Sequence, residues 1–263
     1  EQISYPWNNG IDTVNPKKNV LQAIATDLVE RTGYTPMEGK DLYFTTGDSD
    51  DWLYAETSTL AFTVEMGTQR NVPESGIQDL CQKNLEAAIY AIDVAAEPEK
   101  ALLPDWTFMV YMSADADAAL ASEALVDINE MEAAGSTANI NVLALFDGRG
   151  DGDSAIYHIQ KDADGLNSVI ISPSVNDLGA VIDPVSRELD MSKPATLMNF
   201  TAWAMENYPA QKNILVFWGH GDGVVQQFVP DKGIGMKVNE IHQALAGLKL
   251  DIVGFDTCSL GHL

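Results

Sequence analysis

The sequence predicts an α/β protein, because short apolar runs alternate with stretches of helical periodicity along most of its 263 residues. Each run is continuously apolar, which is typical of strands that are buried on both faces of a parallel sheet. The stretches between the runs repeat apolar residues every three to four positions, as amphipathic helices do. A mainly parallel sheet covered by helices on both faces is therefore expected for the larger part of the chain.

A boundary between two segments is predicted near residue 100. Residues 95–104 contain two prolines and several charges, and they separate regions of different texture. A chain of this length fits either one large domain or two smaller ones. We therefore predict an N-terminal segment over 1–98, a linker over 99–105 and a C-terminal domain over 106–263.

The first segment is predicted to contain two helices around one strand. Apolar residues recur at helical spacing over 16–32, and Gly33 follows as a helix C-cap. Residues 59–66 are expected to form a buried strand, and residues 75–95 a long closing helix. The cysteine of that helix, Cys81, is expected to be a buried thiol.

The second segment alternates strands and helices in the order expected of a parallel sheet. A proline in the first turn, at position 194, supports one of the helix starts. The predicted strands are residues 106–112, 140–146, 213–219 and 250–256. The predicted helices are residues 119–133, 194–207 and 238–248.

Composition and charge exclude several classes of partner. Lys and Arg total 15 against 39 Asp and Glu, so the net charge of −24 would repel the phosphates of a nucleic acid. No apolar run approaches the roughly 20 residues of a membrane span, and the first residues do not resemble a signal peptide. The two cysteines, Cys81 and Cys258, match no zinc spacing and are too few for a disulfide scaffold. We predict neither nucleic acid nor membrane as a partner, and no disulfide.

Two predicted strand ends carry residues typical of nucleophilic catalysis. His220 and Gly221 follow one strand and Cys258 follows another, and functional groups collect at such carboxyl ends in open sheets. If the strands are neighbours, the imidazole can take the thiol proton and later protonate a leaving amine. The backbone N–H groups of Gly221 and Cys258 can then stabilise an oxyanion. A small core cysteine and a structural histidine are an equally supported alternative.

The segment from Trp106 onward contains, in this order, the blocks WTFMVYMSADADAAL, INVLALFDG, ILVFWGHGDG and IVGFDTCSLG. These blocks resemble those of the clostripain family of cysteine endopeptidases. The resemblance implies a caspase-like α/β domain over 106–263, with His220 and Cys258 as the catalytic dyad and cleavage after Arg or Lys. It also implies that the sheet continues past the nucleophile, so the domain is expected to be incomplete after Cys258.

Asp256 is the candidate for binding the basic side chain of the substrate. In the clostripain family an Asp two residues before the nucleophile lies at the P1 pocket, and Asp256 occupies that position. A carboxylate suits the role because Arg or Lys in a partly dry pocket needs a countercharge. Capping of the turn at the strand end is an equally supported alternative for this residue.

An acidic loop follows the strand predicted at 140–146. Asp147, Asp151 and Asp153 place oxygen ligands close together in FDGRGDGDS, although the spacing is not that of an EF-hand. Because calcium dependence is known in the clostripain family, the resemblance makes calcium a candidate cofactor at this loop. A solvated acidic turn is the favoured interpretation.

A second resemblance covers the first segment. Tyr43 and Glu65 stand 22 residues apart with Asp51-Trp52 between them, preceded by ISYPW and GYTP and followed by IQDLCQKNLEAAIYAID. This pattern resembles the C-terminal third of a zinc carboxypeptidase. The resemblance implies that Glu65 is the general base or acid acting on zinc-bound water and that Tyr43 closes over the substrate. By itself, Glu65 fits either a functional carboxylate in a buried strand or an edge strand facing solvent.

The carboxypeptidase resemblance also implies a specificity and a metal. Asp50 occupies the floor of the pocket for the terminal side chain, as in enzymes that remove C-terminal Lys or Arg, and Asp48 is a second candidate. The zinc ligands of the family, a His-x-x-Glu pair and a later His, precede this part of the fold. Zinc is therefore expected for the complete carboxypeptidase domain, with its ligands absent from this chain.

Together the two resemblances predict an internal piece of a larger secreted peptidase that acts on peptides or proteins with Arg or Lys. The endopeptidase would cleave after a basic residue, the carboxypeptidase would trim that residue, and each domain needs its missing remainder. Two alternatives stay open. Either only the cysteine peptidase is active and the first segment is an accessory remnant, or the chain is catalytically dead and binds basic peptides.

Overall fold

The computed structural model describes residues 1–8, 15–68, 71–116, 118–175, 181–182, 186–222, 227–231 and 234–258. The chain divides into two compact units, Glu1–Leu102 and Leu103–Leu263. Within the described ranges, no helix is both long enough and apolar enough to cross a membrane.

The first unit contains a small mixed sheet of three strands in the order β2-β1-β3. Strand β1 runs parallel to β2 and antiparallel to β3. The strands are β1 (Gln2–Tyr5), β2 (Thr35–Glu38) and β3 (Thr63–Glu65). The helices are α1 (Lys18–Thr32), α2 (Gly39–Leu42), α3 (Ser49–Thr57) and α4 (Glu74–Val94), followed by a 3₁₀ helix over Pro98–Leu102.

Helices α1 and α4 form the core of the first unit together with β1. Ile24 and Leu28 of α1 pack with Ala87 and Tyr90 of α4 in one apolar cluster. Helix α1 ends where Gly33 takes a left-handed conformation (φ 67°) and its N–H bonds the carbonyl of Val29. The predicted helix over 16–32 with its glycine C-cap is confirmed.

The prediction of a buried strand over 59–66 is wrong. Strand β3 covers only Thr63–Glu65, and all three residues are exposed. Among the described residues, the strand pairs only with β1. The apolar residues that suggested burial, Leu60 and Phe62, lie before the strand and are partly buried against the core. The apolar run therefore anchors a loop, and the strand that follows it forms the edge of the sheet.

The prediction that Cys81 is buried is also wrong, because α4 has two apolar faces. Its Ala87 and Tyr90 face is packed against α1, whereas Cys81 is exposed. The exposed face also carries apolar residues with exposed fractions of 48–77%, namely Ile77, Leu85, Ile89 and Ile92.

The second unit is built on a five-stranded sheet in the order β11-β7-β4-β5-β6. Neighbours among the first four strands run parallel, and the edge strand β6 runs antiparallel to β5. A second, antiparallel sheet contains β8, β9 and β10. The strands are β4 (Trp106–Ser113), β5 (Ile140–Asp147), β6 (Ala155–His158), β7 (Lys212–Gly219), β8 (Gly221–Asp222), β9 (Gln227–Asp231), β10 (Ile234–Lys237) and β11 (Ile252–Thr257). The helices are α5 (Ala118–Ala134), α6 (Pro194–Asn207) and α7 (Val238–Leu245).

All four strands and three helices predicted for the second unit are present, within a few residues of the predicted bounds. Helix α7 is shorter than expected at its end, because Ala246 is extended and Gly247 takes a positive φ of 87°. Strands β6, β8, β9 and β10 were not predicted. They are short and lie at sheet edges or in the small sheet, where apolar periodicity is weak.

The central strand β4 is buried on both faces. Tyr111 packs against Phe200 of α6 with ring centroids 6.3 Å apart, whereas the next residue, Met112, belongs to the cluster that contains Ile128 of α5. Successive side chains of a strand point to opposite faces, so both layers of helices need apolar residues from the same strand. This two-sided burial explains the continuous apolar runs in the sequence.

We predict that His158 makes the stability of the protein sensitive to acid. His158 is half-buried on β6 beside Tyr208, at 4.8 Å between ring centroids, and burial lowers the pKa of its imidazole below the ordinary 6.5. Below pH 6.5 the imidazole is therefore protonated in the unfolded chain while it is still mostly neutral in the folded protein. Protonation then favours the unfolded chain, so the free energy of unfolding falls as the pH drops from 6.5 to the pKa of the folded state. Denaturant unfolding at pH 7.5 and pH 5.5 measures this loss.

The matched variants are His158→Asn and His242→Asn, since His242 is an exposed histidine of α7. The His158→Asn protein is expected to lose less stability between the two pH values than the wild type, and His242→Asn is expected to behave as the wild type does. An equal loss in all three proteins would contradict the prediction.

Candidate functional site

The carboxyl ends of β7 and β11 meet at one edge of the five-stranded sheet. The two strands are parallel neighbours, and Gly219 at the end of β7 pairs in register with Thr257 at the end of β11. His220 and Cys258 therefore each follow directly after one of these paired residues. Adjacent strands lie about 4.8 Å apart, so the two residues start from neighbouring points of the backbone. The condition that the sequence left open, that these strands are neighbours, is met.

Gly221 lies directly against the end of β11. A Cβ placed on Gly221 would be 2.7 Å from the carbonyl oxygen of Cys258 and 2.8 Å from Oγ1 of Thr257. These distances are too short for any side chain, so only glycine allows the backbone after His220 to approach Cys258 this closely. Both His220 and Cys258 are exposed, which leaves them accessible to a substrate.

Gly219 allows a second close approach on the other side of β7. Its φ is +139°, and a Cβ there would be 2.7 Å from the carbonyl oxygen of Ser113 at the end of β4. The conformation is one that residues with a side chain rarely adopt. The glycines on both sides of His220 thus set the path of the backbone that carries the imidazole.

Asp256 lies beside this pair of residues. It is exposed near the end of β11, two residues before Cys258, and it pairs in register with Trp218 of β7. Trp218 is buried, and its Nε1–H donates a hydrogen bond of 2.6 Å to Oδ2 of Asp127 in α5. The structure therefore brings His220, Gly221, Asp256 and Cys258 to one edge of the sheet.

The acidic loop after β5 is assembled differently from the sequence expectation. Ligand oxygens of Asp147, Asp153 and Glu188 lie within 4.8 Å of one another, whereas Asp151 does not belong to this group. Asp153 and Glu188 also accept hydrogen bonds from the backbone N–H groups of three loop glycines. Glu188 was not predicted, because it is distant in sequence and only the fold brings it to the loop.

Two adjacent carboxylates are buried in the first unit. Asp50 and Asp51, in the first turn of α3, are 4% and 8% exposed. The backbone N–H of Asn8 donates to both oxygens of Asp51 at 3.0 Å, and its side-chain amide donates to Oδ1 of Asp50 and of Asp51 at 3.0 Å. Burial is the largest influence on Asp51 and raises its pKa above the usual range, although the hydrogen bonds from Asn8 oppose this rise.

Asp50 connects α3 to the strand that carries Glu65. The hydroxyl of Thr63 donates to Oδ2 of Asp50 at 3.3 Å, and Thr63 and Glu65 share one face of β3 because they are two residues apart. No salt bridge found between described residues includes Asp50 or Asp51.

The remaining predicted residues of the first unit lie nearer the surface. Tyr43 follows α2 and is 59% exposed, and Asp48 precedes α3 and accepts a hydrogen bond from the hydroxyl of Thr45. Glu65 is exposed on the edge strand, so the expectation that it is a carboxylate in a buried strand is wrong. The solvent-facing alternative that the sequence left open describes it correctly.

Asn8 is a residue of this region that no sequence pattern indicates. It stands more than 40 positions from the two aspartates that it bonds. A Cβ on Gly39 would lie 1.2 Å from Oδ1 of Asn8, so the glycine at the start of α2 leaves the space that the amide occupies. Gly39 can be read from the sequence, but only the folded structure shows that it makes room for the Asn8 side chain.

The first unit by itself does not fit a zinc site of the carboxypeptidase type. Residues 1–102 contain no histidine, and the histidines of the chain stand at positions 158, 220, 242 and 262. His262 lies outside the described residues. The first unit therefore supplies carboxylates and a tyrosine but none of the imidazole ligands.

Two families match the chain. Residues 110–263 match the clostripain family, peptidase C11. Residues 1–87 match the zinc carboxypeptidase family, peptidase M14. No curated protein matches the chain.

Similar solved structures include three cysteine proteases. One is a secreted C11 cysteine protease from Bacteroides thetaiotaomicron in complex with an irreversible peptide inhibitor, 21% identical, with a TM-score of 0.44. Another is an inactive zymogen C11 protease from Parabacteroides distasonis, 20% identical, also with a TM-score of 0.44. Each comparison covers 59% of this chain and 42% of the other chain, so this chain spans less than half of their length. A B. fragilis cysteine protease is 24% identical over 45% of this chain and 91% of that chain, with a TM-score of 0.35.

The clostripain match covers more than half of the chain and includes every strand of the sheet edge that carries His220 and Cys258. The carboxypeptidase match covers the unit with the buried carboxylates. On the match over residues 110–263, the chain belongs to the clostripain family.

Proposed function

We propose that the second unit is a cysteine endopeptidase in which Cys258 is the nucleophile and His220 is its general base. The observation that carries this proposal is the register of β7 and β11, which ends with Gly219 opposite Thr257 and is followed by the close approach of Gly221 to the carbonyl of Cys258. A dyad needs its two side chains to start from neighbouring backbone positions, and these strand ends meet that need.

The reaction follows from the groups at this edge. The imidazole of His220 takes the proton of the Cys258 thiol, and the thiolate attacks the scissile carbonyl carbon. The N–H groups of Gly221 and Cys258 stabilise the oxyanion that develops. The imidazolium then protonates the leaving amine, and water hydrolyses the thioester to release the second product and regenerate the thiol.

We propose Asp256 as the group that selects Arg or Lys at the substrate position before the cleaved bond. Its carboxylate is exposed on the strand that leads to Cys258, two residues away. A fixed carboxylate near the scissile bond favours a cationic side chain through a charge-assisted hydrogen bond. The net charge of −24 also attracts basic peptides at long range.

Calcium is proposed at Asp147, Asp153 and Glu188. Three carboxylates with ligand oxygens within 4.8 Å of one another offer the oxygen donors that Ca²⁺ prefers. A bound cation would neutralise the repulsion among these carboxylates and so stabilise the loop after β5. This role is structural and supplies no step of the peptide cleavage.

The first unit is proposed as the C-terminal portion of a zinc carboxypeptidase domain over 1–98, joined by a linker over 99–105 to the endopeptidase domain over 106–263. Glu65 is its proposed general base or acid, and Tyr43 is proposed to close over the substrate. In a complete carboxypeptidase domain a zinc ion would lower the pKa of a water molecule, which Glu65 would then deprotonate. Asp50 is proposed for C-terminal Lys or Arg, with Asp48 as the second candidate. The assignment of Asp50 is supported by its burial and by its hydrogen bond to Thr63 of the strand that carries Glu65. Among the described residues, the Asp50 carboxylate forms no salt bridge.

The two activities combine into one proposed function. The endopeptidase exposes a C-terminal Arg or Lys, and the carboxypeptidase removes it, with peptides or proteins as substrates. A similar C11 protease from B. thetaiotaomicron is described as secreted, which supports a secreted or extracellular location.

A second candidate function is favoured by the lack of histidine in residues 1–102. In this alternative only the cysteine peptidase is active, and the first unit is an accessory packing module. Zinc analysis of the full-length protein separates the two, because a metal-free preparation with full endopeptidase activity supports the accessory module.

The dyad predicts a large loss of endopeptidase activity on mutation. We expect Cys258→Ala or His220→Ala to lower kcat/KM by at least about 10³-fold, as removal of a nucleophile or its base does. The assay is cleavage of a peptide with one internal Arg by the full-length protein. Cys81→Ala is the matched control, because Cys81 is an exposed thiol of the first unit, and it should leave the rate unchanged. Retained activity in Cys258→Ala would exclude the proposed nucleophile.

The specificity proposal predicts a selective effect of Asp256→Asn. We expect kcat/KM for a peptide with Arg before the cleaved bond to fall about 10- to 100-fold, the range of one charge-assisted hydrogen bond. A peptide with norleucine at that position should change little. Glu130→Gln, a neutralised exposed carboxylate of α5, controls for the change in net charge. Equal losses on both peptides would count against Asp256 as the selecting group.

The coupled function predicts an order of products. With full-length protein and a peptide with one internal Arg, mass spectrometry should first detect the fragment ending in Arg and then free Arg. A chelator of zinc should block the second product and leave the first. Release of a neutral residue before Arg would exclude the coupled function.

A further inference from the structure

The hydroxyl of Thr257 is a buried polar group without a hydrogen-bond partner among the residues that the structure describes. Such groups are uncommon, because burial removes the hydrogen bonds of the hydroxyl to water and returns nothing. A valine, which has the same shape, would avoid this cost. The burial of the Thr257 hydroxyl is explained if it gains a hydrogen-bond partner in another state of the protein, such as the substrate complex.

Thr257 stands between the two proposed functional residues of β11, Asp256 and Cys258. It pairs in register with Gly219, and successive side chains of a strand alternate, so its side chain lies on the opposite face of the sheet from Asp256. Its hydroxyl is therefore separate from the group that selects the substrate side chain.

The side chain of Thr257 instead touches the backbone that follows His220. The Cβ position of Gly221 is 2.8 Å from Oγ1 of Thr257 and 3.0 Å from its Cβ. Because Gly221 has no side chain, the hydroxyl faces main chain there. A hydroxyl this close to the segment can donate to one of its backbone carbonyl groups once the two oxygens come within about 3 Å.

We propose that Thr257 is a positioning residue, whose hydroxyl donates a hydrogen bond to a backbone carbonyl of His220 or Gly221 when a substrate is bound. The inference rests on the proposed cysteine peptidase function. The bond holds the imidazole of His220 and the N–H of Gly221 in the arrangement that the reaction needs. Hydrogen bonds of active sites are often loose in the free protein and tighten in the substrate complex.

The test compares Thr257→Val with Thr257→Ser in the full-length protein. The valine variant removes the hydroxyl at nearly constant shape, so kcat should fall about 5- to 10-fold, the effect of one hydrogen bond, with KM within about twofold. The serine variant keeps the hydroxyl and should recover most of kcat. Alkylation of Cys258 by iodoacetamide in the free enzyme should not change, because the hydroxyl has no partner there among the described residues.

Melting temperatures distinguish this role from a structural one. Thr257→Val should melt at the wild-type temperature or above it, since it removes a buried hydroxyl that bonds none of the described residues. Thr107→Val is the matched control: Thr107 is buried in β4 and its hydroxyl donates to the carbonyl of Tyr208 at 2.5 Å. That variant should melt at a lower temperature and keep its kcat.

Several results would overturn the inference. A wild-type kcat in Thr257→Val, a serine variant as slow as the valine variant, or a lower melting temperature for Thr257→Val would each do so. An inactive wild type, or full activity in Cys258→Ala, would overturn the proposed function as well. Loss of activity in Cys258→Ala together with a fully active Thr257→Val would overturn this inference alone.

Discussion

Six consecutive register pairs join β7 to β11, from Ile214 with Ile252 to Gly219 with Thr257. This backbone pairing places the segments after the two strands side by side, since a parallel ladder holds the chains about 4.8 Å apart along its whole length. His220, Cys258 and Asp256 depend on it for their common position. A shift of one residue in register would turn every side chain of β11 to the other face of the sheet and separate the proposed functional groups.

The pairing in turn depends on the central strand β4. Its side chains are buried on both faces, by α6 on one side and α5 on the other, so β4 cannot shift without loss of two apolar clusters. Close main-chain contacts then carry this rigidity to the sheet edge, because Gly219 approaches the carbonyl of Ser113 and Gly221 that of Cys258. The site is thus made of exposed side chains on a backbone whose position is fixed by packing.

In the first unit two adjacent carboxylates are buried, whereas the candidate site of the second unit consists of exposed side chains. Asp50 and Asp51 are buried, and their charges are compensated by N–H and O–H donors instead of by a cation among the described residues. Asn8 contributes both its backbone and its side chain to this arrangement, and Gly39 leaves room for it. Such a pair of carboxylates is costly to bury, which the raised pKa of Asp51 expresses. Because Asn8 follows β1 and Thr63 lies in β3, the pair also ties these two parts of the chain to α3.

The sequence by itself determined the fold class, the four parallel strands, the main helices and both family resemblances, because continuous apolar runs and motif spacing are local properties of the chain. It also indicated His220 and Cys258, since each follows a recognisable strand. Only the tertiary structure decided that β7 and β11 are neighbours, that Glu65 is exposed and that Cys81 faces solvent. It alone joined Glu188 to Asp147 and Asn8 to Asp51, because contacts between distant residues depend on packing and leave no periodic signal in the sequence.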